Sequence, residues 1–292
     1  ALALRIQGQC AFERDKLDEA SQAVVQAQSV AQACKDRQQV IRCELLLGNI
    51  AGVHSDWDQA LMFYDAARQR INKHFKADNE LQGESLYYVA AVHQQRGDLN
   101  KALPMLIQSL KHWERCGVQR GMAYVANALA DAARSQGRMD RAKDWYRRAK
   151  KVHESVGAWE MWLVRLNLAL VLMLEDRFDD AQKELEGCVE RFRQSDQKSW
   201  LAVSQVFCLP HLARNRDWRV FDAYAEEAMG ILRAQKFADA DLATVYEIAG
   251  SCAAAESERR RADDAYTMAA EQWRFLGRMA EANAASLRIG VD

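Results

Sequence analysis

Histidine and cysteine side chains are the first candidates for chemistry in this sequence, because they ligate metals, transfer protons and act as nucleophiles. The histidines are dispersed along the chain, at His54, His74, His93, His112, His153 and His211. The 7 cysteines are equally scattered, and no two of them have the CxxC spacing of zinc or redox sites. The motifs of phosphate-binding loops, nucleophile elbows, zinc proteases and EF-hands are also missing. The residue types and their spacing therefore predict no catalytic residue, no metal site and no cofactor.

Composition excludes several classes of protein. The 292 residues are 49% hydrophobic and 28% charged, which is typical of a folded chain with a core. With 40 basic and 41 acidic residues there is no basic surplus for nucleic acid or anionic lipid. No apolar run approaches the roughly 20 residues that span a bilayer, so membrane insertion is not expected. An odd number of dispersed cysteines is typical of a reduced, cytoplasmic protein.

One pattern of small and large residues recurs about every 40 residues. It predicts the helices that must position any functional site. We define the register residue as the small residue at the centre of this pattern. It is alanine in six repeats and phenylalanine in one, at Ala20, Ala60, Ala102, Ala142, Ala181, Phe221 and Ala262. The residue four positions later is often large, as in Tyr64, Leu106 and Tyr146. Because residues three and four apart share a helical face, each repeat predicts an amphipathic helix.

A second amphipathic helix precedes each turn, so each repeat is predicted to be a pair of antiparallel helices. Asp56, Asp98 and Asp217 directly precede second helices and are natural N-caps. Gly117, Gly157 and Gly277 share one position near the ends of second helices, where glycine commonly terminates a helix. Few prolines and glycines elsewhere favour long helices. The predicted pairs cover residues 1–37, 38–77, 80–117, 120–157, 159–196, 199–237 and 240–277, with a capping helix over 278–290.

This arrangement resembles a tetratricopeptide-repeat (TPR) array with lengthened repeats. The family signature W-x2-L-G-x2-Y…A-x3-F…P is visible as Leu47-Gly48…Ala60-x3-Tyr64, Ala142-x3-Tyr146 and Ala262-x3-Tyr266. The period near 40 and the missing closing proline depart from it. Similar long repeats occur in bacterial sensor arrays, kinesin light chains and pheromone-peptide receptors. The resemblance implies an all-α, right-handed superhelical solenoid of about seven helix pairs, forming one domain over residues 1–292.

The resemblance also implies a concave groove lined by the first helix of each pair. Asparagine side chains there can donate to and accept from a peptide backbone, and tyrosine adds apolar area with a polar tip. Transferring the family's groove positions through the register gives the candidate peptide-binding residues Arg5, Gln9, Arg42, Asn49, Tyr87, Tyr88, Gln94, Tyr124, Asn127, Asp131, Arg134 and Asn167. A solvated inner face without a ligand is the alternative.

The sixth repeat is irregular. Pro210 falls inside its predicted first helix and removes one backbone hydrogen bond. Phe221 replaces the small register residue. We expect either a tolerated irregularity or a hinge that changes the superhelix when a ligand binds.

The sequence therefore favours a cytoplasmic protein that acts by binding a protein or peptide. The resemblance to sensor arrays implies the C-terminal regulatory or sensor part of a larger bacterial signalling protein, such as a kinase or nucleotide-switch regulator. In that case other domains of the same parent chain are further possible partners. The alternative is a self-contained signalling-peptide receptor of the pheromone-sensing type. An enzyme with an unrecognised site in the groove is a third, disfavoured hypothesis.

Overall fold

A computed structural model describes residues 1–14, 16–54, 56–195, 197–235 and 237–290. Its regular structure in these ranges is helical, and the chain divides into two compact units, Ala1–Val164 and Arg165–Asp292. The boundary falls within one helix, α9 (Met161–Leu174). The prediction of one domain over residues 1–292 is not tested by this division and stays a prediction.

The first unit consists of four helix pairs followed by the start of α9. Its helices are α1 (Leu2–Glu13), α2 (Leu17–Ala33), α3 (Arg37–Val53), α4 (Trp57–His74), α5 (Asn79–Gln95), α6 (Leu99–Cys116), α7 (Gln119–Ser135) and α8 (Met139–Ser155). The odd-numbered members are first helices and the even-numbered members are second helices.

The second unit contains the remaining repeats and the capping helix. Its helices after α9 are α10 (Phe178–Leu185), α11 (Cys188–Gln194), α12 (Lys198–Arg214), α13 (Trp218–Gln235), α14 (Ala240–Ala255), α15 (Arg259–Phe275) and the cap α16 (Met279–Ser286). The predicted all-α architecture of consecutive helix pairs is confirmed.

Side-chain contacts show that paired helices run antiparallel. In the second repeat, Arg70 near the end of α4 donates to Glu44 midway along α3, over 2.9 Å. Tyr64, six residues earlier on α4, donates to Asn49, five residues later on α3, over 2.7 Å. Contacts that move in opposite directions along the two helices require an antiparallel pair.

Close packing within the pairs of all repeats but the sixth depends on a small residue of the first helix facing a larger one of the second. A Cβ atom added to Gly250 would stand 2.7 Å from Cε1 of Tyr266, and one added to Gly48 would meet the ring of Tyr64. The register alanines Ala20, Ala60, Ala102 and Ala142 are fully buried. The repeat therefore specifies interhelical distance through residue size.

The predicted helix ends are confirmed at the residues that were singled out. Asp56 accepts from the amide of Gln59, Asp98 from Lys101 and Asp217 from Val220, over 3.1, 3.3 and 3.4 Å. Gly117, Gly157 and Gly277 have φ of +71°, +63° and +74°, the left-handed conformation of a helix C-terminus.

The fifth repeat departs from the predicted single long second helix. Glu186 (φ −53°, ψ 125°) and Gly187 (φ 78°, ψ −8°) form a type II turn between α10 and α11. Only glycine takes the second conformation without strain, so Gly187 divides the helix here.

Pro210 and Phe221 occupy buried positions in the irregular sixth repeat. Pro210 lies inside α12, which continues through it to Arg214, and Phe221 is 3% exposed in α13. The positions equivalent to Gly48 and Tyr64 hold Leu209 and Ala225, so the larger residue is now on the first helix. This exchange of sizes offsets the irregularity, and the hinge remains a prediction.

Candidate functional site

Four tyrosines of the first unit form a continuous row of ring contacts. We call Tyr64, Tyr88, Tyr87 and Tyr124 the tyrosine row. Successive ring centroids are 5.4, 5.4 and 5.9 Å apart, with stacked, tilted and stacked geometry. Such separations are favourable for aromatic pairs. The row crosses three repeats, because Tyr64 lies on α4, Tyr88 and Tyr87 on α5, and Tyr124 on α7.

The hydroxyls of this row are protonated at neutral pH, because the usual pKa of tyrosine is about 10 and burial raises it further. Desolvation raises the pKa of Tyr87, and the nearby carboxylates of Asp131 and Glu160 raise it further. Desolvation also raises the pKa of Tyr88 and Tyr124. Their hydroxyls are therefore hydrogen-bond donors at neutral pH, beside half-buried aromatic faces.

A cluster of acidic and basic side chains lies at the Tyr124 end of the row, with Glu160 and His153 buried and Arg120 half-exposed. Tyr124 donates to Glu160 over 2.5 Å, and Arg120 donates to the same carboxylate oxygen. The ring of His153 lies 5.6 Å from the ring of Tyr124. Burial alone would raise the pKa of Glu160, but the hydrogen bonds from Tyr124 and Arg120 outweigh it and lower the pKa. Glu160 is therefore a carboxylate that is held ionised by its two donors.

Complementary charges from two repeats meet on α3 and α5. Arg42 donates to Glu80 over 3.1 Å and to Glu84 over 3.4 Å. Desolvation raises the pKa of Glu84, whereas the charge of Arg42 opposes that shift. The predicted groove residue Arg42 is therefore engaged by an acidic pair of the next repeat.

Asn49 and Asp131 accept hydrogen bonds from the hydroxyl groups of tyrosines on the second helix of their own repeats. Tyr64 donates to Asn49, Tyr146 donates to Asp131, and in the second unit Tyr266 donates to Ser251 over 3.3 Å. Each acceptor precedes its tyrosine by 15 residues. Asn49 and Asp131 thus have a role inside their own helix pairs, in addition to the predicted place in the groove.

The remaining candidates are distributed as follows. Asn127 donates to Asp131 over 3.2 Å, and Arg134 donates to the Tyr146 hydroxyl over 3.3 Å, which joins three candidates in one network. Gln94 donates to the Ala128 carbonyl over 3.1 Å.

At the other end of the first unit, Arg5 donates to Gln39 and Gln9 to Glu13, each over 2.9 Å. Asn167 lies on α9 in the second unit, apart from the other eleven candidates.

All twelve predicted groove residues are half-buried, neither enclosed in the core nor fully exposed. The residues that sequence reasoning missed are Glu84, Arg120, His153 and Glu160. A signal for one of them was present: residues 42, 84 and 124 each precede the register alanine of their repeat by 18 positions. Following that position along the repeats identifies Glu84 between Arg42 and Tyr124.

The described residues contain neither a candidate metal site nor a candidate membrane-spanning helix. Within the described ranges, no three His, Cys, Asp or Glu side chains are grouped so as to hold a metal ion. The helices found there also lack the combination of length and apolar character that crossing a membrane requires.

Comparison with known proteins identifies the repeat. Residues 81–155 match the tetratricopeptide repeat family. No curated protein sequence matches the chain. A Rap protein crystallised with competence and sporulation factor has a similar structure, with a TM-score of 0.70 and 13% identity, over 98% of this chain and 72% of that one.

Two further solved structures are similar. The apo form of RapI has a TM-score of 0.56 and 12% identity, over 98% of this chain and 95% of that one. A signal-transduction ATPase with numerous domains and a TPR sensor, from Pyrococcus horikoshii, has a TM-score of 0.54 and 12% identity, over 91% of this chain and 42% of that one. At these identities the similarity concerns the fold, and the chain is a TPR-like repeat array.

Proposed function

We propose that this chain is a non-catalytic interaction module that binds an extended peptide segment on the first-helix face of its first unit. The observation that carries the proposal is the tyrosine row with its half-buried polar neighbours. Eleven candidate side chains from α1, α3, α5 and α7 are all partly accessible. A solvated face with no ligand has no need for aromatic rings in contact across three repeats.

The chemistry of this face suits a peptide. Tyr87 and Tyr124 offer apolar faces for aliphatic, proline or aromatic side chains, and rigid rings lose little entropy when a ligand binds. The amide of Asn127 lies about one turn after Tyr124 on α7, and that of Gln94 about two turns after Tyr87 on α5. Both amides are suited to a peptide backbone. Asn167 of the second unit is proposed as a further groove residue on register alone.

For the cellular context we infer a cytoplasmic regulatory or sensor region at the C-terminal end of a larger bacterial signalling protein. The fold similarity to an ATPase that carries a TPR sensor supports this inference. The partner is then a protein or peptide, or another domain of the parent chain, instead of a nucleic acid or a lipid bilayer.

A self-contained receptor for a signalling peptide is the second candidate. It is supported by the similarity to the Rap protein crystallised with competence and sporulation factor. Reading the gene on both sides of this segment distinguishes the two contexts. A kinase or ATPase domain in the same reading frame favours the sensor region, whereas its absence there favours the receptor.

The binding face is tested with peptides selected from a random display library on the wild-type protein. Tyr87 is the residue to change, because its hydroxyl makes no hydrogen bond with any described residue. Its ring packs against Tyr88, Tyr124 and the neighbouring core, so circular dichroism and thermal denaturation first establish that the variant is folded. The matched control is Tyr224, a half-buried tyrosine on α13 of the second unit.

We expect Tyr87→Ser to lower the affinity for the selected peptides roughly tenfold or more, because one buried aromatic contact is lost. Tyr224→Ser should bind them as wild type does. Selected peptides that bind both variants equally would place the binding surface elsewhere, and a library that yields no binder would contradict the proposal.

A further inference from the structure

A second surface of the first unit, away from the tyrosine row, has the composition of an anion site. We call it the basic cleft: a cavity of about 240 Å³ at the ends of α2 and α4 and the start of α3, lined by Ala31, Gln32, Lys35, Arg37, Val40, Arg70 and His74. None of these residues is among the groove candidates. Its volume is below the roughly 300 Å³ at which pockets for drug-sized ligands begin, so it suits a small group.

The charge of the cleft is unbalanced. None of the lining residues is acidic. The side chains of Lys35 and Arg37 make neither a hydrogen bond nor an ion pair with any described residue. The nearby carboxylate of Asp36 accepts from the amide of Gln39 over 3.1 Å as the N-cap of α3. Desolvation lowers the pKa of His74, and the charges of Arg37, Lys73 and Arg70 lower it further, as expected in a positive potential.

Arg70 is held in place for a ligand. Its Nε donates to both oxygens of Glu44, over 2.9 and 3.2 Å, and Glu44 is only 3% exposed. The two terminal nitrogens of Arg70 make no hydrogen bond with the described residues. A guanidinium fixed through Nε keeps its terminal N–H donors in one orientation, which favours bidentate contact with an oxyanion.

Lys35 occupies a position that three of the other six repeats give to glycine, whereas the remaining three have Phe75, Asp196 and Lys236 there. It follows the register residue Ala20 by 15 positions, as Gly117, Gly157 and Gly277 follow theirs. Lys35 nevertheless has φ of +57°, the left-handed conformation that glycine adopts freely and a lysine does not. This helix C-terminal conformation, shared with Asp176, Arg216 and Ser257, places Lys35 between the end of α2 and the start of α3.

We propose that the basic cleft binds a phosphate group through Lys35, Arg37 and Arg70. Phosphate carries up to two negative charges at neutral pH and presents several acceptor oxygens, which match three cations from three helix ends. The small volume and the near-zero net charge of the chain argue for one phosphate group instead of a polyanion. The group is either inorganic phosphate or the phosphomonoester of a phosphorylated side chain.

The test is isothermal titration calorimetry at constant ionic strength with two probes, inorganic phosphate and N-acetyl-phosphoserine amide. Lys35→Gln/Arg37→Gln removes two charges from the cleft. Lys111→Gln/Arg115→Gln removes the same charge from an exposed face of α6 and is the matched control. Arg70 is left unchanged, because it also neutralises the buried carboxylate of Glu44.

We expect saturable binding by the wild type, at least tenfold weaker in the cleft variant and within about twofold of wild type in the control. Tighter binding of one probe identifies free phosphate or the phosphoester as the natural form. A wild-type protein that binds neither probe, or an equal loss in both variants, would overturn the proposal.

A third variant distinguishes function from folding. Lys35→Gly introduces the glycine that three other repeats have at this position, so we expect a higher melting temperature together with weaker phosphate binding. A stabilised variant that still binds phosphate as the wild type does would remove Lys35 from the site.

Discussion

At the scale of single residues, the repeat tyrosines have two functions. The ring of Tyr64 fills the space beside Gly48, and its hydroxyl donates to Asn49. Repeats with a smaller or aliphatic residue at the tyrosine position mostly have an apolar residue 15 positions earlier, as with Leu106 and Ala91. The polar partner is therefore present where a buried hydroxyl has to be satisfied.

We predict that Tyr64→Phe lowers the free energy of unfolding by about 0.5–1.5 kcal/mol, the usual contribution of one hydrogen bond. A double-mutant cycle with Asn49→Ala, followed by urea denaturation, measures the coupling. Tyr266→Phe should cost less, because its bond to Ser251 is longer, at 3.3 Å. Additive effects of the two changes at Tyr64 and Asn49 would show that the bond contributes nothing.

His153 makes stability depend on pH. Burial lowers its pKa, and although the charge of Glu160 opposes this shift, Arg120 adds to it. A histidine whose folded pKa is below its unfolded value binds more protons when unfolded. The stability that comes from the neutral folded form is therefore present above about pH 6.5 and is lost as the pH falls towards the folded pKa.

We predict that the wild type loses more stability between pH 7 and pH 5 than His153→Phe does. The difference should not exceed about 1.4 kcal/mol per pH unit, the limit for one proton. Urea denaturation of both proteins at the two pH values measures it, and the variant also keeps an aromatic ring beside Tyr124. Parallel losses in the two proteins would refute the assignment to His153.

At the scale of helices, the size of one residue sets how closely a pair packs. Gly48 on α3 faces the Tyr64 ring, whereas a Cβ added to Gly230 on α13 would meet no atom within 4 Å. Gly48→Ala should lower the free energy of unfolding by about 1–3 kcal/mol through overpacking. Gly230→Ala should raise it by about 0.4–1 kcal/mol, because the unfolded chain loses freedom. Thermal denaturation measures whether each variant is more or less stable than the wild type. Destabilisation by Gly230→Ala would show that free space around a glycine does not predict the effect of adding a methyl group.

The helices were predictable because the same pattern recurs in seven repeats. Residue size and capping residues also act on their immediate sequence neighbours. Asp56 and Gly117 specify helix ends through their own backbone neighbourhood, which the sequence shows directly. The candidate site was only partly predictable, since the partners of a groove residue come from the next repeat. Arg42 pairs with Glu84, and Arg120 with Glu160, 42 and 40 residues away.

A second limit concerned the partners of large residues on the second helices. Trp113 is buried between Gly83 of α5 and Gly121 of α7, and Trp273 is buried as well. Both glycines are in the sequence, but only the packing of neighbouring first helices shows that they make room for one indole ring.

At the scale of the whole molecule, contacts are local in sequence. The helices that pack extensively are neighbours, or next neighbours, along the chain. The stability of such an array is roughly the sum of the stability of each repeat and the energies of the interfaces between adjacent repeats. A substitution in one repeat should therefore destabilise that repeat and its immediate neighbours only.

We predict that Gly48→Ala accelerates amide hydrogen exchange in α3, α4 and the adjoining helices. Exchange in α14 and α15 should match the wild type. Mass spectrometry of peptic fragments resolves the two regions. Equal acceleration throughout both units would indicate a single cooperative unfolding unit instead of an array.

The exchanged sizes of Leu209, Phe221 and Ala225 have a consequence for the ancestry of the array. Repeat arrays gain and lose members by duplication and recombination of whole periods, which works when any copy fits any neighbour. A crossover between residues 209 and 225 would bring the large Leu209 against a tyrosine from another repeat, or leave Ala225 opposite a glycine. The first recombinant helix pair would have too large a side-chain volume between its helices, and the second would have a cavity there. A crossover inside the sixth repeat would therefore separate two residues whose sizes fit each other, so we expect this repeat to be inherited as a whole period.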